Sequence, residues 1–251
     1  MLPAKKPPIL SLKIMEIKLS IVIPTYNEEG NIEQLLKLIR EVLLSESISH
    51  ELIIVDDSSK DKTREIIRTL QKNIPEIVLI ERNNERGLAT ALVRGYNEAR
   101  GFYLGSMDAD LAHDPKYLPA MIHILDKKEA DFVIGSRYVQ GAKFEGKPLI
   151  NKLASIMGQL LIKTLLGIKI KDTSNNYRVF RKEIWKRIKD KLHPEGNIMI
   201  TEIAYLAEKN NFKIKEIPIV YIERRLGKSK LSVAKETSKF FKNIWKIKND
   251  R

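Results

Sequence analysis

Short apolar runs alternate with longer amphipathic segments over the first two thirds of the chain, and this alternation restricts the fold more than any other feature of the sequence. Five runs have the length of strands, and four segments between them have helical periodicity. The predicted strands cover residues 19–24, 51–55, 77–81, 102–107 and 131–134, and the predicted helices cover 31–44, 63–71, 87–100 and 115–128. Strands that alternate with helices form a mainly parallel sheet with helices on both faces. The sequence therefore predicts an α/β fold.

Composition excludes several other classes of protein. The chain has 251 residues, of which 43% are hydrophobic and 31% charged, so it is too apolar for wholesale disorder and too charged for an integral membrane protein. It has no Cys and four scattered His, which excludes disulfide scaffolds, thiol nucleophiles and thiolate zinc sites. A helix needs about 18–20 consecutive apolar residues to cross a bilayer, and no run in the sequence reaches that length.

Beyond residue 137 the alternation weakens. We expect an amphipathic helix over 149–168, a polar segment at 172–181, a helix around 202–209, a strand at 213–221 and a last helix over 232–248. The predicted organisation is a flexible leader at 1–18, one catalytic domain at 19–231 and a basic amphipathic C-terminal helix at 232–251.

Polar clusters follow three of the predicted strands, at residues 25–29, 56–61 and 108–110. Ligands of parallel α/β sheets bind at the carboxyl ends of the strands, which is where these clusters fall. Asp108 and Asp110 are the sharpest signal, because two carboxylates two residues apart can hold a hard divalent cation that keeps positions open for phosphate oxygens. Asp56 and Asp57 can accept from ribose hydroxyls or a base edge, and Tyr26 can stack on a base.

Taken together, the segments PTYNE at 24–28, DDSSKD at 56–61 and DAD at 108–110 resemble the GT-A fold (nucleotide-diphospho-sugar transferase fold) of the family 2 glycosyltransferases. Further segments at 86–91, 135–139 and 224–231 are similar, in the same order, to the polyprenol (dolichol) phosphate mannosyltransferases. The resemblance covers residues 19–231 and points to the short form without transmembrane helices. It implies a transfer of mannose from GDP-mannose to a polyprenyl (dolichyl) phosphate.

The resemblance also implies roles for individual residues. Asp108 and Asp110 would hold Mg²⁺ or Mn²⁺ against the diphosphate, and Asp110 would be catalytic. The remaining implied residues fall into two groups. The nucleotide-sugar pocket would be lined by Pro24, Tyr26, Glu28, Val55, Asp57, Asp108, Ala109, Asp110 and Arg137. The phosphate groups of donor and acceptor would be held by Arg137, Arg224 and Lys230, which are also counted as catalytic. Planar Arg forks and a Lys point charge suit clustered phosphates without reference to the family.

The chain departs from the family pattern at two places. The family usually has Gln two residues after the second aspartate of the DxD, where this chain has Ala112, so either water fills that coordination site or His113 or Asp114 shifts toward it. Asn175 and Asn176 precede an aromatic residue and Arg178 where a Ser-Gly-aromatic-Arg pattern is common, which leaves the role of Arg178 open.

The acceptor chemistry predicts the mechanism. A phosphate monoester has a second pKa of about 6 by analogy with phosphorylated side chains, so it is anionic at neutral pH and needs no protein base. We expect a single in-line displacement at the anomeric carbon that inverts its configuration.

The net charge of +13 is concentrated toward the C-terminus, where residues 209–251 carry 13 Lys and Arg against 4 Asp and Glu. The segment 232–248 places Val233, Phe240, Phe241, Ile244, Trp245 and Ile247 among lysines. This pattern fits a helix on anionic lipid or a helix that packs its stripe on the domain, and we favour a shared role in which it and 149–168 rim the acceptor channel. We therefore expect a peripheral protein on the cytoplasmic face of a membrane.

Three alternatives remain at this stage. A UDP-sugar donor, with glucose going to polyprenyl phosphate or to a saccharide, keeps the same machinery. A phosphate-responsive receiver module would place its acidic pair after a first strand, whereas here another strand precedes it. Nucleic-acid binding fits the basic tail, but no helix-turn-helix, zinc finger or RNP pattern accompanies it, so we expect no nucleic-acid partner.

Overall fold

A computed structural model describes residues 16–83, 85–146, 149–222, 244 and 246–248 of the chain. Strands and α-helices alternate over residues 19–136 and follow a less regular order after that, with 3₁₀ turns at Pro115–Tyr117 and Lys189–Lys191. The strands are β1 (Leu19–Thr25), β2 (His50–Asp57), β3 (Ile77–Arg82), β4 (Tyr103–Ser106), β5 (Phe132–Ser136), β6 (Lys143–Glu145), β7 (Arg178–Arg181), β8 (Ile214–Pro218) and β9 (Val220–Ile222). The helices are α1 (Ile32–Ser45), α2 (Thr63–Gln71), α3 (Leu88–Glu98), α4 (Leu118–Asp126), α5 (Leu149–Leu166), α6 (Lys182–Ile188) and α7 (Ile198–Lys209).

The central sheet has seven strands in the order β3-β2-β1-β4-β7-β5-β8. β7 runs antiparallel to both of its neighbours, and the other strand pairs are parallel. The strand order reverses direction between β1 and β4, which is the point where open α/β sheets form a ligand crevice. The predicted α/β fold with a mainly parallel sheet flanked by helices is confirmed.

Two apolar cores lie on opposite faces of this sheet, and successive residues of one strand contribute to different cores. In β2, Leu52 and Ile54 pack with α1 and α4, whereas Ile53 and Val55 pack with α3, α6 and α7. Side chains alternate across a strand, so a strand buried on both faces must be apolar throughout. This requirement explains why the central strands read as continuous apolar runs.

Gly95 on α3 allows that helix to approach the sheet closely. A Cβ atom at this position would lie 2.3 Å from Cγ1 of Val22 on β1. Such a contact is too short for two carbon atoms, so α3 could not keep its present position with a larger residue. The position of α3 matters for function because its N-terminus lies next to the carboxyl end of β2.

The segment after α5 differs from the sequence-based prediction. No strand was predicted in the segment 172–181, but β7 forms at its end and inserts between β4 and β5, and α6 follows it directly. The single strand expected over 213–221 is two strands, because β8 ends at Pro218 and β9 pairs with β6 in a separate two-stranded sheet.

Helix α5 forms as predicted, and its apolar residues lie on two sides of it. Its apolar face points outward, with six large apolar side chains exposed: Ile150, Leu153, Ile156, Met157, Leu160 and Leu161. The face turned toward the domain includes Gln159 as well as Ile162 and Leu166. Monomeric soluble proteins rarely leave such a contiguous apolar surface uncovered unless it binds something.

Two residues of the predicted C-terminal stripe lie within the described part of the chain. Ile244 and Ile247, for which both lipid contact and packing on the domain were left open, are buried against α5 and α7, next to Ile162, Leu166 and Tyr205. These two side chains therefore pack on the domain. The other predicted members of the stripe (Val233, Phe240, Phe241 and Trp245) lie outside the described residues. Within the ranges described above, no helix is both long enough and apolar enough to span a bilayer.

Candidate active site

The three polar clusters meet at the carboxyl edge of the sheet. Thr25 at the end of β1 is opposite Asp56 of β2, and Val22 is opposite Ser106 at the end of β4. Asp108 follows Ser106 by two residues, so it continues the chain from β4 beside the last residues of β1. The acidic segments after β2 and β4 therefore flank the end of β1 on its two sides.

The segments after β1 and β2 are joined by side-chain bonds to backbone groups. Ser59 Oγ accepts from the N–H of Asn27 at 2.9 Å, and Oδ1 of Asn27 accepts from the N–H of Lys60 at 2.8 Å. Thr63 Oγ1 accepts from the N–H of Glu28 at 2.8 Å. These reciprocal bonds fix the loop that carries Tyr26 and Glu28 to the start of α2.

Asp56 has a structural role. Its carboxylate is fully buried and bonds Arg64, the hydroxyl and N–H of Ser59, and the hydroxyl of Thr25. These groups hold the two loops together. Asp56 thus supports the edge of the sheet, and Asp57 is the residue of this pair that faces the following loop.

Asp57 organises the connection between β3 and α3. Its Oδ1 accepts from Arg82 Nε at 2.6 Å, and its Oδ2 accepts from the N–H of Gly87 at 2.8 Å. Arg82 is buried and also donates to Thr90 Oγ1 at 2.7 Å. Gly87 has φ of 133°, in the region that favours glycine, and this conformation turns its N–H toward the carboxylate.

Tyr26 has one ring face covered by a cation. The guanidinium carbon of Arg86 lies 4.4 Å from the centre of the ring, and Arg86 Nη2 donates to the Tyr26 hydroxyl at 2.9 Å. This contact joins the loop after β1 to the loop before α3. Tyr26 is half-buried, so a planar base could reach its ring at this edge of the sheet.

The carboxylates of the acidic pair each accept from a neutral donor. Asp108 Oδ1 accepts from Nδ2 of Asn176 at 3.0 Å, and Asp110 Oδ1 accepts from the N–H of Ala112 at 3.1 Å. Leu111, which lies between Asp110 and Ala112, has φ of 62°, a left-handed conformation that turns the chain back toward Asp110. These bonds hold the two aspartates at the end of β4.

Ala112 occupies the position, two residues after Asp110, where the sequence pattern of the family usually has glutamine. Ala112 is buried and offers only a methyl group, and Asp114 caps the 3₁₀ turn by accepting from the N–H of Lys116 at 3.0 Å. His113 is buried and stacks on Tyr177 with 5.1 Å between ring centres. Burial lowers the pKa of His113, although the charges of Asp108 and Asp110 act in the opposite direction. His113 is therefore a buried ring next to the acidic pair, with the N–H of Asp108 3.5 Å from its Nδ1.

A divalent cation fits this donor set. Across the described residues, no three His, Cys, Asp or Glu side chains gather into a metal-binding cluster, so the protein ligands here would be the carboxylates of Asp108 and Asp110. Mg²⁺ and Mn²⁺ prefer oxygen ligands, and Mg²⁺ is commonly bound by one or two carboxylates together with substrate phosphates and water. A pair of carboxylates at an open sheet edge suits a cation shared with a diphosphate.

Arg137 follows β5 and is fixed by a buried carboxylate. Asp172 accepts from Nε and Nη2 of Arg137 at 2.8 Å each, and from its backbone N–H at 2.9 Å. Burial acts to lower the pKa of Arg137, but the bonds and charge of Asp172 outweigh this effect and raise the pKa above its usual value. The guanidinium carbon of Arg137 lies 5.4 Å from the ring centre of Tyr138 and 5.3 Å from that of Tyr221. Nη1 is the guanidinium nitrogen that takes no part in the bonds to Asp172.

Helix α5 is tied to Arg137 through its inward polar face. Gln159 Oε1 accepts from the N–H of Thr173 at 3.0 Å, and Gln159 Nε2 donates to Ser174 Oγ at 2.7 Å. Ser174 Oγ in turn accepts from Arg137 Nη2 at 3.2 Å. The same helix therefore presents apolar side chains to the outside and is hydrogen-bonded to Arg137 through its inward face.

The remaining predicted residues lie at different depths. Pro24 and Glu28 are half-buried at the edge, whereas the side chains of Val55 and Ala109 are inside the two cores, so only their backbone atoms can meet a ligand. Arg224 and Lys230 lie outside the described residues. The assignments of all these residues to the pocket stay predictions.

Sequence reasoning missed several residues that shape this edge: Arg82, Gln159, Asp172, Ser174 and Asn176. Their partners are distant along the chain, since 68 positions separate Asn176 from Asp108. The change from Ser-Gly to two asparagines at 175–176 was the signal for Asn176, because an amide at a loop position needs a partner when buried.

Comparison with known proteins identifies the family. The sequence profile of "Glycosyl transferase family 2" matches residues 20–189, which is more than half of the chain. The chain belongs to glycosyl transferase family 2. The polar edge of its sheet is accordingly the expected place for glycosyl transfer, and the resemblance found in the sequence is confirmed.

Relatives in this family carry informative names. The chain is 35% identical over 235 residues to a dolichol-phosphate mannosyltransferase of Pyrococcus furiosus, covering 92% of this chain and 64% of that protein. It therefore spans slightly less than two thirds of that relative. It is 31% identical over 215 residues to an undecaprenyl-phosphate mannosyltransferase of Micrococcus luteus, covering 84% of this chain and 86% of the relative. A dolichol-phosphate mannosyltransferase of Mycosarcoma maydis is 30% identical over 217 residues, with 84% and 73% covered.

Solved structures support the fold. Glucosyl-3-phosphoglycerate synthase of Mycobacterium tuberculosis, in complex with Mn²⁺, UDP and phosphoglyceric acid, has a TM-score of 0.65 at 17% identity and covers 92% of this chain and 76% of its own. The same enzyme with Mg²⁺ and UDP has a TM-score of 0.64 at 16% identity, with 92% and 77% covered. These glycosyltransferase structures match the GT-A type of fold predicted from the sequence.

Proposed function

We propose that this glycosyltransferase moves mannose from GDP-mannose to a polyprenyl (dolichyl) phosphate and forms polyprenyl phosphate mannose. The observation that carries the proposal is that α5 has an exposed apolar face on one side and is joined to Arg137 on its other side, through Gln159 and Ser174. An acceptor that reaches both must have an apolar tail and an anionic head. The names of the relatives agree with such an acceptor.

The donor would bind between the ends of β1, β2 and β4. Tyr26 offers a ring for the base, Asp57 a carboxylate for hydroxyl or amino groups, and Glu28 a second acceptor beside them. Pro24, Val55 and Ala109 would contribute the shape and backbone groups of the same pocket. The carboxylate of Asp57 already holds the loop at Gly87, so it would shape this pocket even without a direct contact.

Asp108 and Asp110 would hold Mg²⁺ or Mn²⁺ against the diphosphate of the donor. When bound, a divalent cation neutralises charge that develops on a departing nucleoside diphosphate. Both carboxylates are fixed in place by hydrogen bonds, which reduces the reorganisation needed when the ligand arrives.

Arg137 would hold the phosphate of donor or acceptor, and Arg224 and Lys230 are proposed to assist it. Asp172 fixes the guanidinium in a bidentate pair, so its orientation is set before any phosphate binds. Asp172 partly balances the charge of Arg137, so charge alone would attract a phosphate only weakly. A phosphate contact through Nη1 would therefore depend on the fixed orientation of the guanidinium as much as on its charge.

The reaction we propose is one in-line displacement. A phosphate oxygen of the acceptor forms a bond to the anomeric carbon of mannose while the bond from that carbon to the oxygen of GDP breaks, and GDP leaves with the electron pair. The configuration at the anomeric carbon inverts. No proton has to be removed, since the acceptor phosphate is already anionic at neutral pH. The protein contributes positioning and electrostatic stabilisation.

The apolar face of α5 would rest against the carrier lipid at the surface of a membrane. The basic balance of the chain, +13 overall, fits an anionic leaflet and hence a peripheral location on a cytoplasmic face. Because Ile244 and Ile247 are buried, α5 is the part of the described chain that we propose for most of this contact.

The test is a transfer assay with purified protein, a polyprenyl phosphate and Mg²⁺ or Mn²⁺, in which the lipid product is identified by mass. With GDP-mannose we expect polyprenyl phosphate mannose, and with UDP-glucose we expect little or no product. Efficient transfer from UDP-glucose but not from GDP-mannose would overturn the donor assignment. Transfer from GDP-mannose to a soluble sugar in place of the lipid would overturn the acceptor assignment.

A further inference from the structure

Asn176 lies directly behind the acidic pair and touches one member of it. Its side chain is buried in the segment that leads into β7, and its Nδ2 donates to Oδ1 of Asp108 at 3.0 Å. Ser106, the last residue of β4, donates through its hydroxyl to the backbone oxygen of Asn176 at 2.7 Å and to its Oδ1 at 2.9 Å. Asn176 therefore joins β4 to the carboxylate that follows it.

The chemistry of these partners fixes which way the amide points. An ionised carboxylate only accepts hydrogen bonds, so the atom of Asn176 that faces Asp108 must be the NH₂ group. The backbone oxygen of Asn176 also only accepts, so the hydroxyl of Ser106 donates toward Asn176 and finds both of its oxygens within reach. The amide is thus held at both ends and offers Asp108 a donor of fixed direction.

The backbone around Asn176 is fixed independently of its side chain. Arg178 is buried, and its guanidinium donates to the backbone oxygens of Asn175, Thr173 and Ile200, at 3.0 Å from Nε to Asn175, 3.3 Å to Thr173 and 2.6 Å to Ile200. Burial lowers the pKa of Arg178 to about 10, which leaves it charged at neutral pH. These bonds hold the loop in place, so a change at the side chain of Asn176 should leave the backbone where it is.

We propose that Asn176 is a positioning residue that holds the carboxylate of Asp108 in the orientation needed to bind a divalent cation. This inference rests on the proposed metal-assisted function. Ala112 cannot contribute a side-chain ligand, so two carboxylates have to supply the protein part of the site. A site with few ligands depends more strongly on the orientation of each one. Hydrogen-bonding partners of metal ligands commonly change metal affinity by about 10–100-fold when removed.

Asn175 provides a matched control in the same segment. It is as buried as Asn176, but its Nδ2 donates to the backbone oxygen of Gly135 and its Oδ1 accepts from the N–H of Tyr177 at 3.3 Å. Removing this amide costs the protein similar buried hydrogen bonds and a contact with His113, but it takes no donor from the carboxylate of Asp108. The two variants therefore separate an effect on the metal site from a general loss of stability.

The experiment titrates Mn²⁺ into wild type, Asn176→Ala and Asn175→Ala at saturating GDP, and follows free Mn²⁺ by electron paramagnetic resonance. We expect the Mn²⁺ affinity of Asn176→Ala to fall by about tenfold or more, and the affinity of Asn175→Ala and the metal-free binding of GDP to stay close to wild type. Thermal unfolding of each variant checks that it is folded. If Asn176→Ala does not fold, Asn176→Ser replaces it, with the same expected loss.

The outcomes distinguish this inference from the proposed function. Equal Mn²⁺ affinity of wild type and Asn176→Ala, or an equal loss in both asparagine variants, would overturn the role of Asn176. Absence of Mn²⁺ binding by wild type with GDP present would instead contradict the metal site on which the proposed function depends.

Discussion

Asp57 shows how one side chain can serve both the fold and the binding site. It neutralises the buried Arg82 and accepts from the N–H of Gly87 at the start of α3. A buried cation that loses its carboxylate is costly, because its charge is left without compensation in a poorly polarisable interior. The stability of this loop and the shape of the nucleotide pocket therefore depend on the same carboxylate.

We expect Asp57→Ala to lower the free energy of unfolding by about 3–5 kcal/mol, because it leaves the buried Arg82 with only the exposed carboxylate of Glu85 nearby. Urea unfolding would measure this loss. The double variant Asp57→Ala/Arg82→Met removes the charge as well, and it should be less destabilised than Asp57→Ala alone. A double variant that loses as much as the sum of the two single variants would show that the pair is not coupled.

The chemistry at the acceptor phosphate predicts the pH dependence. If the lipid phosphate is its own nucleophile, kcat/KM should rise with a midpoint of about pH 6, where the monoester loses its second proton, and then stay level to pH 8. A polyprenyl phosphonate, which loses its second proton at higher pH, should move the midpoint upward. A midpoint that is the same for both acceptors would assign the ionisation to a group of the enzyme.

At the residue scale, local patterns in the sequence pointed to the acidic clusters at 56–61 and 108–110, because each cluster directly follows a predicted strand. They could not select Asn176 or Asp172, whose partners lie 68 and 35 positions away. Such pairs form only after the sheet has brought distant segments together. Sequence spacing therefore predicts which acidic residues follow a strand, but not which distant side chains form hydrogen bonds to them.

Helix α5 shows what hydrophobic periodicity can and cannot predict for an element. The periodic pattern correctly indicated a helix, and the structure forms it over Leu149–Leu166. Periodicity does not tell which side of a helix meets the domain, and in α5 Gln159 faces the domain whereas Leu153 and Met157 face outward. β7 was missed for a related reason, since a four-residue strand with Arg at both ends lacks a periodic signal.

We expect the double variant Leu153→Gln/Met157→Gln to raise the KM for a long-chain polyprenyl phosphate by about tenfold or more, since burying one Leu-sized side chain contributes about 1.5–3 kcal/mol. Both side chains are exposed, so stability should hardly change. Steady-state kinetics with long-chain and short-chain acceptors would measure the effect, and the short-chain acceptor should be much less affected.

The control for this prediction is Leu44→Gln. Leu44 is an exposed leucine in the last turn of α1, away from the carboxyl edge of the sheet. Its replacement should leave both KM values unchanged. An unaltered KM for the long-chain acceptor in the α5 variant would remove α5 from the acceptor site.

At the scale of the whole molecule, the fold class could be predicted because the alternation of apolar and amphipathic segments spans many residues and survives local errors. The positions of α5 and of the segment 172–178 at the carboxyl edge of the sheet depend on contacts between elements, so they could not be predicted from the sequence. The net charge of +13 acts at this scale as well, because charges spread over a surface sum to a long-range attraction toward anionic partners.

We expect the protein to bind vesicles that contain anionic lipid and to bind neutral vesicles weakly. Binding should fall as the salt concentration rises from about 0.05 to 0.5 M, since the Debye length shortens from more than 10 Å to less than 5 Å. Co-sedimentation would measure both effects. Equal binding to neutral and anionic vesicles at every salt concentration would show that the basic surface plays no part.

The central claim is that Asp108 and Asp110, at the end of β4, act on the diphosphate of a nucleotide sugar whose mannose goes to a lipid phosphate. The most direct measurement compares the rate of polyprenyl phosphate mannose formation by wild type, Asp110→Ala and Asp114→Ala, with the lipid product identified by mass. Asp114 is the control, because it caps the nearby 3₁₀ turn. We expect Asp110→Ala to lose at least about 100-fold in rate, since stabilising the leaving diphosphate contributes several kcal/mol, and Asp114→Ala to stay near wild type. Wild-type turnover by Asp110→Ala would contradict the claim.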